Sequence, residues 1–213
     1  MLQEAQQDAI VAQVRALERS SDAEVVTAVI ARAHPYPDIV WSAFALAAAL
    51  AGLAVVVLDR TSPAWASGDQ VLAAVATVLG AGLMSALLAI GLPAYARCFL
   101  RAPQRDAEVH RCARLAFHDH GLARAAGQRA VLVLAARFER TVVIVAGAGF
   151  DGRVNAQVWR RVAAGASATL RQHGVAGALS AALADLAPVL HAHDPIDSHP
   201  NALPDAPIEL AAP

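Results

Sequence analysis

Two long uncharged apolar segments constrain this chain more than any other feature of its sequence. Residues 39–58 form a run of 20 residues without a charged side chain, and residues 70–96 form a second run of 27. A helix needs about 20 apolar residues to cross the roughly 30 Å hydrocarbon core of a bilayer. A helix on the surface of a soluble domain keeps a polar stripe, which neither segment shows. The sequence therefore predicts transmembrane helices at 38–58 and 71–96, joined by a connector at 59–70.

The composition agrees with a protein that is only partly soluble. Charged residues make up 16% of the chain and hydrophobic residues 57%, whereas an ordinary soluble domain is about 25% charged. This shortage of charge argues against a wholly soluble globule, a disordered chain and a coiled coil.

The arginines predict the orientation of the two helices. Five follow the second apolar segment closely, namely Arg97, Arg101, Arg105, Arg111 and Arg114, whereas the connector holds only Arg60. Cytoplasmic flanks of membrane helices carry the basic excess. Both termini are therefore expected in the cytoplasm, with the connector on the opposite side. Because the first 38 residues are polar and acidic, we expect the first span, and not a cleavable signal peptide, to direct insertion.

The segments outside the apolar runs predict one α/β domain, interrupted by the membrane helices. Hydrophobic periodicity and turn residues predict helices at 3–19, 106–120, 155–172 and 175–193, and strands at 24–31, 130–136 and 141–146. A single strand needs partners, so the first strand is expected to join the other two in one sheet. The predicted domain comprises residues 1–37 and 103–193. The tail at 194–213 holds five of the eleven prolines and is expected to be disordered.

The strand sequences resemble a known family. The matching positions are Asp22 to Val26 at the first strand, 130–134 and 142–145 at the later strands, Phe138, Glu139 and Arg140 between them, and then Gly149, Asp151, Val154 and Trp159. They resemble the TPM domain, a family named for thylakoid-lumen, photosystem II repair and acetylcholine-receptor-modulator proteins. The resemblance implies an α/β/α sandwich, here interrupted by a two-helix transmembrane hairpin, as in a bacterial subgroup located in the cytoplasmic (inner) membrane.

The resemblance also implies candidate chemistry. Some TPM domains are linked to acid phosphatase activity, some bind calcium, and others assist the assembly or repair of membrane complexes. Many members carry Asp-Asn-Gly before the second strand, where this chain has Gln128, Arg129 and Ala130. A hard cation requires six to eight oxygen ligands, and only Glu24 and Asp151 remain as candidate calcium ligands. No catalytic residue and no other cofactor is assigned.

A second candidate site lies in the link between the last two predicted strands. Glu139 is flanked there by Arg137 and Arg140, and this charged group is either an interaction patch at the tip of a β-hairpin or a solvated turn. Nucleic acid is not an expected partner, because the arginines are dispersed and no aromatic side chains alternate with them.

The first hypothesis from the sequence is an inner-membrane protein without enzymatic activity. Its TPM-like domain would serve as an interaction, assembly or repair module for a membrane-protein partner, with the bilayer itself as the second partner. One alternative is a weak, metal-dependent acid phosphatase. The other is a module for anionic lipids, because residues 93–193 carry a net charge of +7.

Overall fold

The chain folds into helices and one mixed sheet, seen in a computed structural model that describes residues 3–21, 23–61, 68–122, 129–193 and 206–210. The helices are α1 (Glu4–Ser20), α2 (Pro37–Thr61), α3 (Gly68–Gly91), α4 (Pro93–Ala96), α5 (Ala102–Asp119) and α6 (Ala156–His193). The strands are β1 (Glu24–Ile30), β2 (Ala130–Ala136), β3 (Thr141–Ala146) and β4 (Ile208–Leu210). Two compact units result, one formed by residues 1–34 and 103–213 and the other by residues 35–102.

The sheet of the first unit has the strand order β3-β2-β1-β4. β1 pairs in parallel with β2 and with β4, and β2 pairs antiparallel with β3. The bounds predicted for β2 and β3 are confirmed, and so is the expectation that β1 joins them in one sheet. Valine and isoleucine between turn residues gave a clear signal for these strands, because β-branched side chains fit a pleated, buried surface.

Two apolar cores lie on opposite faces of this sheet. On one face, Val25 and Val29 of β1 pack with side chains of α1 and α6, such as Val14 and Leu186. On the other face, Val26 and Ile30 pack with side chains of α5, including Val109, Ala113 and Phe117. Consecutive side chains of a strand point to opposite faces, so an apolar run such as 130–136 serves both cores.

The C-terminal tail departs from the sequence-based expectation. Residues 208–210 form β4 and pair with β1, although 194–213 was predicted to be disordered. The alternation of Ile208, Glu209 and Leu210 is too short to be recognised as a strand from sequence alone. Residues 194–205 and 211–213 lie outside the described part of the chain, as do Asp22, Gln128 and most of the connector, 62–67.

The second unit contains two antiparallel apolar helices, α2 and α3. Phe44 of α2 lies against Gly82 of α3, where an added Cβ atom would come within 2.7 Å of the Phe44 ring. One turn of helix further on, the Ser85 hydroxyl donates to the carbonyl oxygen of Ala43 at 2.9 Å. The Oγ atom of Ser85 is also 2.7 Å from the Tyr95 hydroxyl.

The second apolar helix is shorter than predicted. The sequence suggested one span over 71–96, but α3 ends at Gly91 and α4 begins at Pro93. Leu92 between them is extended, with φ −115° and ψ 99°. A residue that precedes proline is disfavoured in the helical conformation, so Pro93 accounts for the break.

Three helices of the described chain are long and apolar enough to cross a membrane by length and composition, where the sequence analysis predicted two. They cover 37–61, 70–91 and 156–192. The third lies within α6 and is interrupted at Gly174, where φ is 74° and ψ is −169°. Of its 18 most apolar consecutive residues, 33% are buried inside the protein, against 11% and 17% for the other two helices. The share is larger because α6 packs on the sheet.

The break in α6 gives a direct test by mutation. Because the conformation of Gly174 belongs to a region that is almost exclusive to glycine, we expect Gly174→Ala to lower the free energy of unfolding by about 1–2 kcal/mol. Gly165→Ala in the same helix is the matched control. Its new Cβ atom would be 3.6 Å from Asp185 Oδ2, an ordinary contact, and alanine favours the helix by up to about 1 kcal/mol. Denaturant titration would show opposite signs for the two variants, and equal effects would contradict the assigned break.

Candidate functional site

A crevice of about 400 Å³ opens in the first unit, where β1 and β4 end beside α5. Its apolar wall consists of Ile30, Ala33, Leu115, Ala116 and Leu210. Its polar wall consists of His34, Glu108, Arg111, Cys112, Asp119 and His120. Ligands of open α/β sheets commonly bind outside the carboxyl ends of the strands, and this volume lies within the range of small-molecule sites. This location and composition make the crevice the candidate site.

The charges on the polar wall are arranged around Glu108. Its Oε2 atom is 3.9 Å from His34 Nδ1 and 3.8 Å from Arg111 Nη1. Both distances exceed the length of a hydrogen bond, so the contact with Arg111 is electrostatic and joins partly solvated groups, and the His34 imidazole is a polar neighbour of the same carboxylate. Such contacts hold their side chains weakly, and a ligand could compete for either partner.

The Glu139 carboxylate lies behind the crevice wall, which corrects the sequence-based expectation. The sequence placed it on an exposed hairpin tip, but its side chain is only 3% exposed. Its Oε1 atom accepts the backbone N–H of Ala33 at 2.8 Å. Within the described residues, its Oε2 atom is buried and has no hydrogen-bond partner. A buried backbone N–H needs an acceptor, and Glu139 supplies it for the segment that follows β1.

The Arg residues on either side of Glu139 remain at the surface. Arg137 and Arg140 are exposed, and Arg140 adopts a left-handed conformation with φ 51°. A third arginine, Arg32, lies over the Phe138 ring at 4.0 Å from its centroid, a cation–π contact. The predicted interaction patch is therefore reduced to exposed arginines beside a buried carboxylate.

The Cys112 thiol is the nucleophile candidate in the crevice. Burial raises its pKa, and the negative charge of Glu139 raises it further. The thiolate is the reactive form, and reactive cysteines lie in positive surroundings that lower the pKa. Cys112 is consequently protonated near neutral pH and suited to packing or hydrogen bonding, and its environment does not activate it as a nucleophile.

The two predicted calcium ligands lie at the other end of the sheet. Glu24 begins β1, and its N–H donates to the carbonyl oxygen of Arg129. At the same end of the sheet, the Gly147 N–H donates to the carbonyl oxygen of Ala130. Asp151 follows within a few residues and is exposed. No cluster of three or more His, Cys, Asp or Glu side chains that could hold a metal ion occurs within the ranges the structure describes.

Sequence reasoning did not find the crevice, although part of its wall has a visible pattern. Glu108, Cys112, Leu115, Ala116 and Asp119 recur at helical spacing on one face of α5. This pattern identifies one face of a helix. His34, which follows β1, and Leu210, which ends β4, are brought to that face only by the folding of the sheet.

These elements define a mixed α/β protein with apolar helices of membrane-spanning length. No family model matches the sequence, and no curated protein is significantly similar to it. One solved structure has a similar fold, the NMR structure of the BA42 protein from the psychrophilic bacterium Bizionia argentinensis. The TM-score is 0.57 at 13% sequence identity, and the match covers 98% of this chain and 95% of that chain. At this identity the likeness concerns the fold alone.

Proposed function

We propose that this chain is an integral membrane protein in which α2 and α3 form a transmembrane hairpin that anchors a cytoplasmic interaction domain. The domain is a TPM-like α/β/α sandwich, an interpretation supported by the two cores on opposite faces of its sheet. The location is the bacterial cytoplasmic membrane. The observation that carries the proposal is the exposure of large apolar side chains along both α2 and α3.

The exposed apolar side chains on these two helices are numerous and large. They include Trp41, Leu46, Leu50, Leu53 and Val57 on α2, and Leu72, Leu79, Leu83, Leu87 and Ile90 on α3, all more than half exposed. A soluble monomer rarely exposes contiguous apolar patches larger than a few hundred Å². Lipid tails provide the contacts that this surface lacks, and the Trp41 ring belongs at the interface, where aromatic residues collect.

The third apolar helix, α6, has a different role in this proposal. Its apolar side already packs against the sheet and α1 through residues such as Leu179, Leu183 and Leu186. The break at Gly174 divides it into two shorter helices. Since crossing a bilayer requires about 20 continuous residues, α6 is assigned to the soluble domain. Two spans then place both halves of the domain on one side of the membrane.

An interaction, assembly or repair module fits this domain better than an enzyme. Its crevice combines an apolar wall with exposed charges, and the raised pKa of Cys112 disfavours nucleophilic chemistry there. The phosphatase alternative requires calcium held by Glu24 and Asp151. It predicts that calcium raises the melting temperature of the full chain in detergent and supports turnover, with both effects lost in Asp151→Asn.

The lipid-binding alternative rests on the net charge of +7 in residues 93–193. Arg153, Arg160 and Arg161 are exposed and can reach anionic headgroups. It predicts that anionic lipids change the labelling of cysteines placed at these positions in reconstituted protein. High salt should abolish the change, since screening weakens exposed charge interactions.

Cysteine labelling in whole cells tests the anchoring and the orientation. One variant carries Ser67→Cys in the connector with Cys98→Ser and Cys112→Ser, and the other keeps only the native Cys98, which is exposed. A membrane-impermeant maleimide should label the connector cysteine in intact cells and Cys98 only after permeabilisation. Both chains should stay in the membrane pellet after alkaline carbonate extraction. Release into the supernatant, or equal labelling of both cysteines in intact cells, would refute the proposal.

A further inference from the structure

A buried carboxylate oxygen without a donor lies beside the crevice that β1, β4 and α5 form. The Glu139 side chain is 3% exposed, and its Oε1 atom accepts the Ala33 N–H at 2.8 Å. Within the part of the chain that the structure describes, the Oε2 atom has no hydrogen-bond partner. A buried charge is costly unless it is paired, so a positive group close to this carboxylate would be stabilising.

Two neighbours of Glu139 place its charge at the wall of the crevice. Ala33, whose N–H binds the carboxylate, lines the crevice. Cys112 lines it as well, and the negative charge of Glu139 contributes to the raised pKa of its thiol. Charges interact more strongly through a protein interior than through water. A ligand in the crevice, beside Ala33 and Cys112, therefore lies within the field of Glu139.

Carboxylates outnumber arginines around the crevice. Its wall contains Glu108, Asp119 and Arg111, and Glu139 adds a third carboxylate from behind. Imidazoles are mostly neutral above about pH 7, so the two histidines of the wall do not reverse this balance. The crevice therefore favours a cation over an anion.

The lining distinguishes between kinds of cation. No group of three or more His, Cys, Asp or Glu side chains that could hold a metal ion occurs in the described ranges. A quaternary ammonium is typically recognised by a cage of aromatic rings, and the described residues of this lining include no Phe, Tyr or Trp. A primary ammonium has three N–H donors and no acceptor, which matches carboxylate oxygens. The apolar wall, with Ile30, Leu115 and Leu210, fits an aliphatic chain.

We propose that the crevice binds an aliphatic primary amine in its protonated form. The ammonium group lies against the Glu108 carboxylate and in the field of Glu139. The aliphatic chain lies along the apolar wall. The volume of about 400 Å³ accommodates either a small free amine or the lysine side chain of a partner protein, which share this chemistry. The inference does not depend on the membrane anchor, because all the lining residues belong to the first unit.

Glu108 is available for the contact with the ammonium group. Its Oε2 atom is 3.9 Å from His34 Nδ1 and 3.8 Å from Arg111 Nη1, and both distances are longer than a hydrogen bond. The Glu108 side chain is 25% exposed, and partly buried charges are screened by salt much less than exposed ones. An ammonium group that enters the crevice can thus form the hydrogen bond that neither neighbour forms with this oxygen.

Thermal unfolding of the full chain in a non-ionic detergent tests the site. n-Butylammonium chloride is titrated at about pH 8, where imidazoles are mostly neutral, against sodium chloride at equal concentration and against n-butanol. A ligand that binds the folded state raises the melting temperature, so n-butylammonium should raise it and neither control should. Glu108→Gln and Glu139→Gln should each weaken the apparent affinity about tenfold through loss of one charge. Glu4→Gln is the matched control, because exposed Glu4 lies on α1 at the other face of the sheet, and it should leave the affinity unchanged.

The remaining outcomes also decide for or against the site. A shift that sodium chloride or n-butanol reproduces would overturn it, as would equal affinities in the unaltered chain and Glu108→Gln. A larger shift with sodium butyrate would assign the crevice to an anion at Arg111 and overturn it too. If Glu139→Gln fails to fold, Glu108→Gln decides alone. N-acetyl-lysine amide in the same titration separates the two supporting cases: an equal shift assigns a partner's lysine, and a shift with n-butylammonium only assigns a free amine.

Discussion

Replacement of Leu79 by arginine should keep α3 out of the bilayer in much of the protein. Leu79 lies near the middle of α3 and its side chain is 55% exposed. An arginine at the centre of a membrane helix costs about 2.5–3.5 kcal/mol on insertion scales. Since 1.4 kcal/mol corresponds to a factor of ten, the insertion equilibrium should shift by roughly a hundredfold. In the variant that keeps only Cys98, the impermeant maleimide should then label Cys98 in intact cells, because a chain anchored by α2 alone leaves its C-terminal part on the outer side.

Leu115 provides an unusually close control for this substitution. It lies on α5 and its side chain is also 55% exposed, so the protein itself covers both leucines equally. If α3 faces lipid and α5 faces water, Leu115→Arg should leave membrane association and folding nearly unchanged, as for most surface substitutions. Equal effects of the two substitutions on this labelling would show that α3 does not lie in a bilayer.

Removal of the Glu139 side chain should destabilise the first unit, which contains the sheet, by about 2–3 kcal/mol. In Glu139→Ala, the Ala33 N–H loses the carboxylate oxygen that accepts it at 2.8 Å. An unsatisfied buried donor costs more than the net value of the hydrogen bond. Glu139→Gln keeps an oxygen at Oε1 and should lose clearly less stability. Denaturant titration of both variants in detergent would contradict this assignment if alanine and glutamine were equivalent.

The same pair of variants should change the chemistry of Cys112. Burial and the charge of Glu139 both raise the pKa of this thiol, and glutamine removes only the second cause. In a Cys98→Ser background, Glu139→Gln should move the pH profile of Cys112 alkylation to lower pH, because the thiolate then forms more readily. A purely structural role for Glu139 would leave that profile in place while stability changed.

Local signals in the sequence were sufficient for most of the elements. β2 and β3 follow from apolar runs between turns, and the break in α6 follows from Gly174. The pairing of β1 with β2 followed from the need of an isolated strand for partners. Pro93 was visible inside the second apolar segment, and the restriction on its preceding residue would have predicted that α3 ends at Gly91.

The features that sequence reasoning missed depend on contacts between distant residues. Glu139 has two arginines as near neighbours in sequence, which favours an exposed turn, but its acceptor role depends on Ala33. β4 consists of three residues after a proline and exists only through its pairing with β1. The crevice likewise requires β1, β4 and α5 together. Hydrophobic periodicity describes one segment at a time and contains no information on contacts between segments that are distant in sequence.

The order of the elements along the chain has a consequence for biosynthesis. β1 precedes α2 and α3, whereas its partner β2 follows them. Ala33 and Glu139, which are joined by a hydrogen bond, are therefore 106 positions apart in the sequence. At a translation rate of about 5–20 residues per second, the first strand waits roughly 5–20 s for its neighbour. During that interval the backbone edge of β1 is unpaired and its apolar side chains are not yet covered by the rest of the sheet. A nascent chain stalled before β2 should therefore recruit a holdase chaperone, and the sheet can close only after β2 has been synthesised.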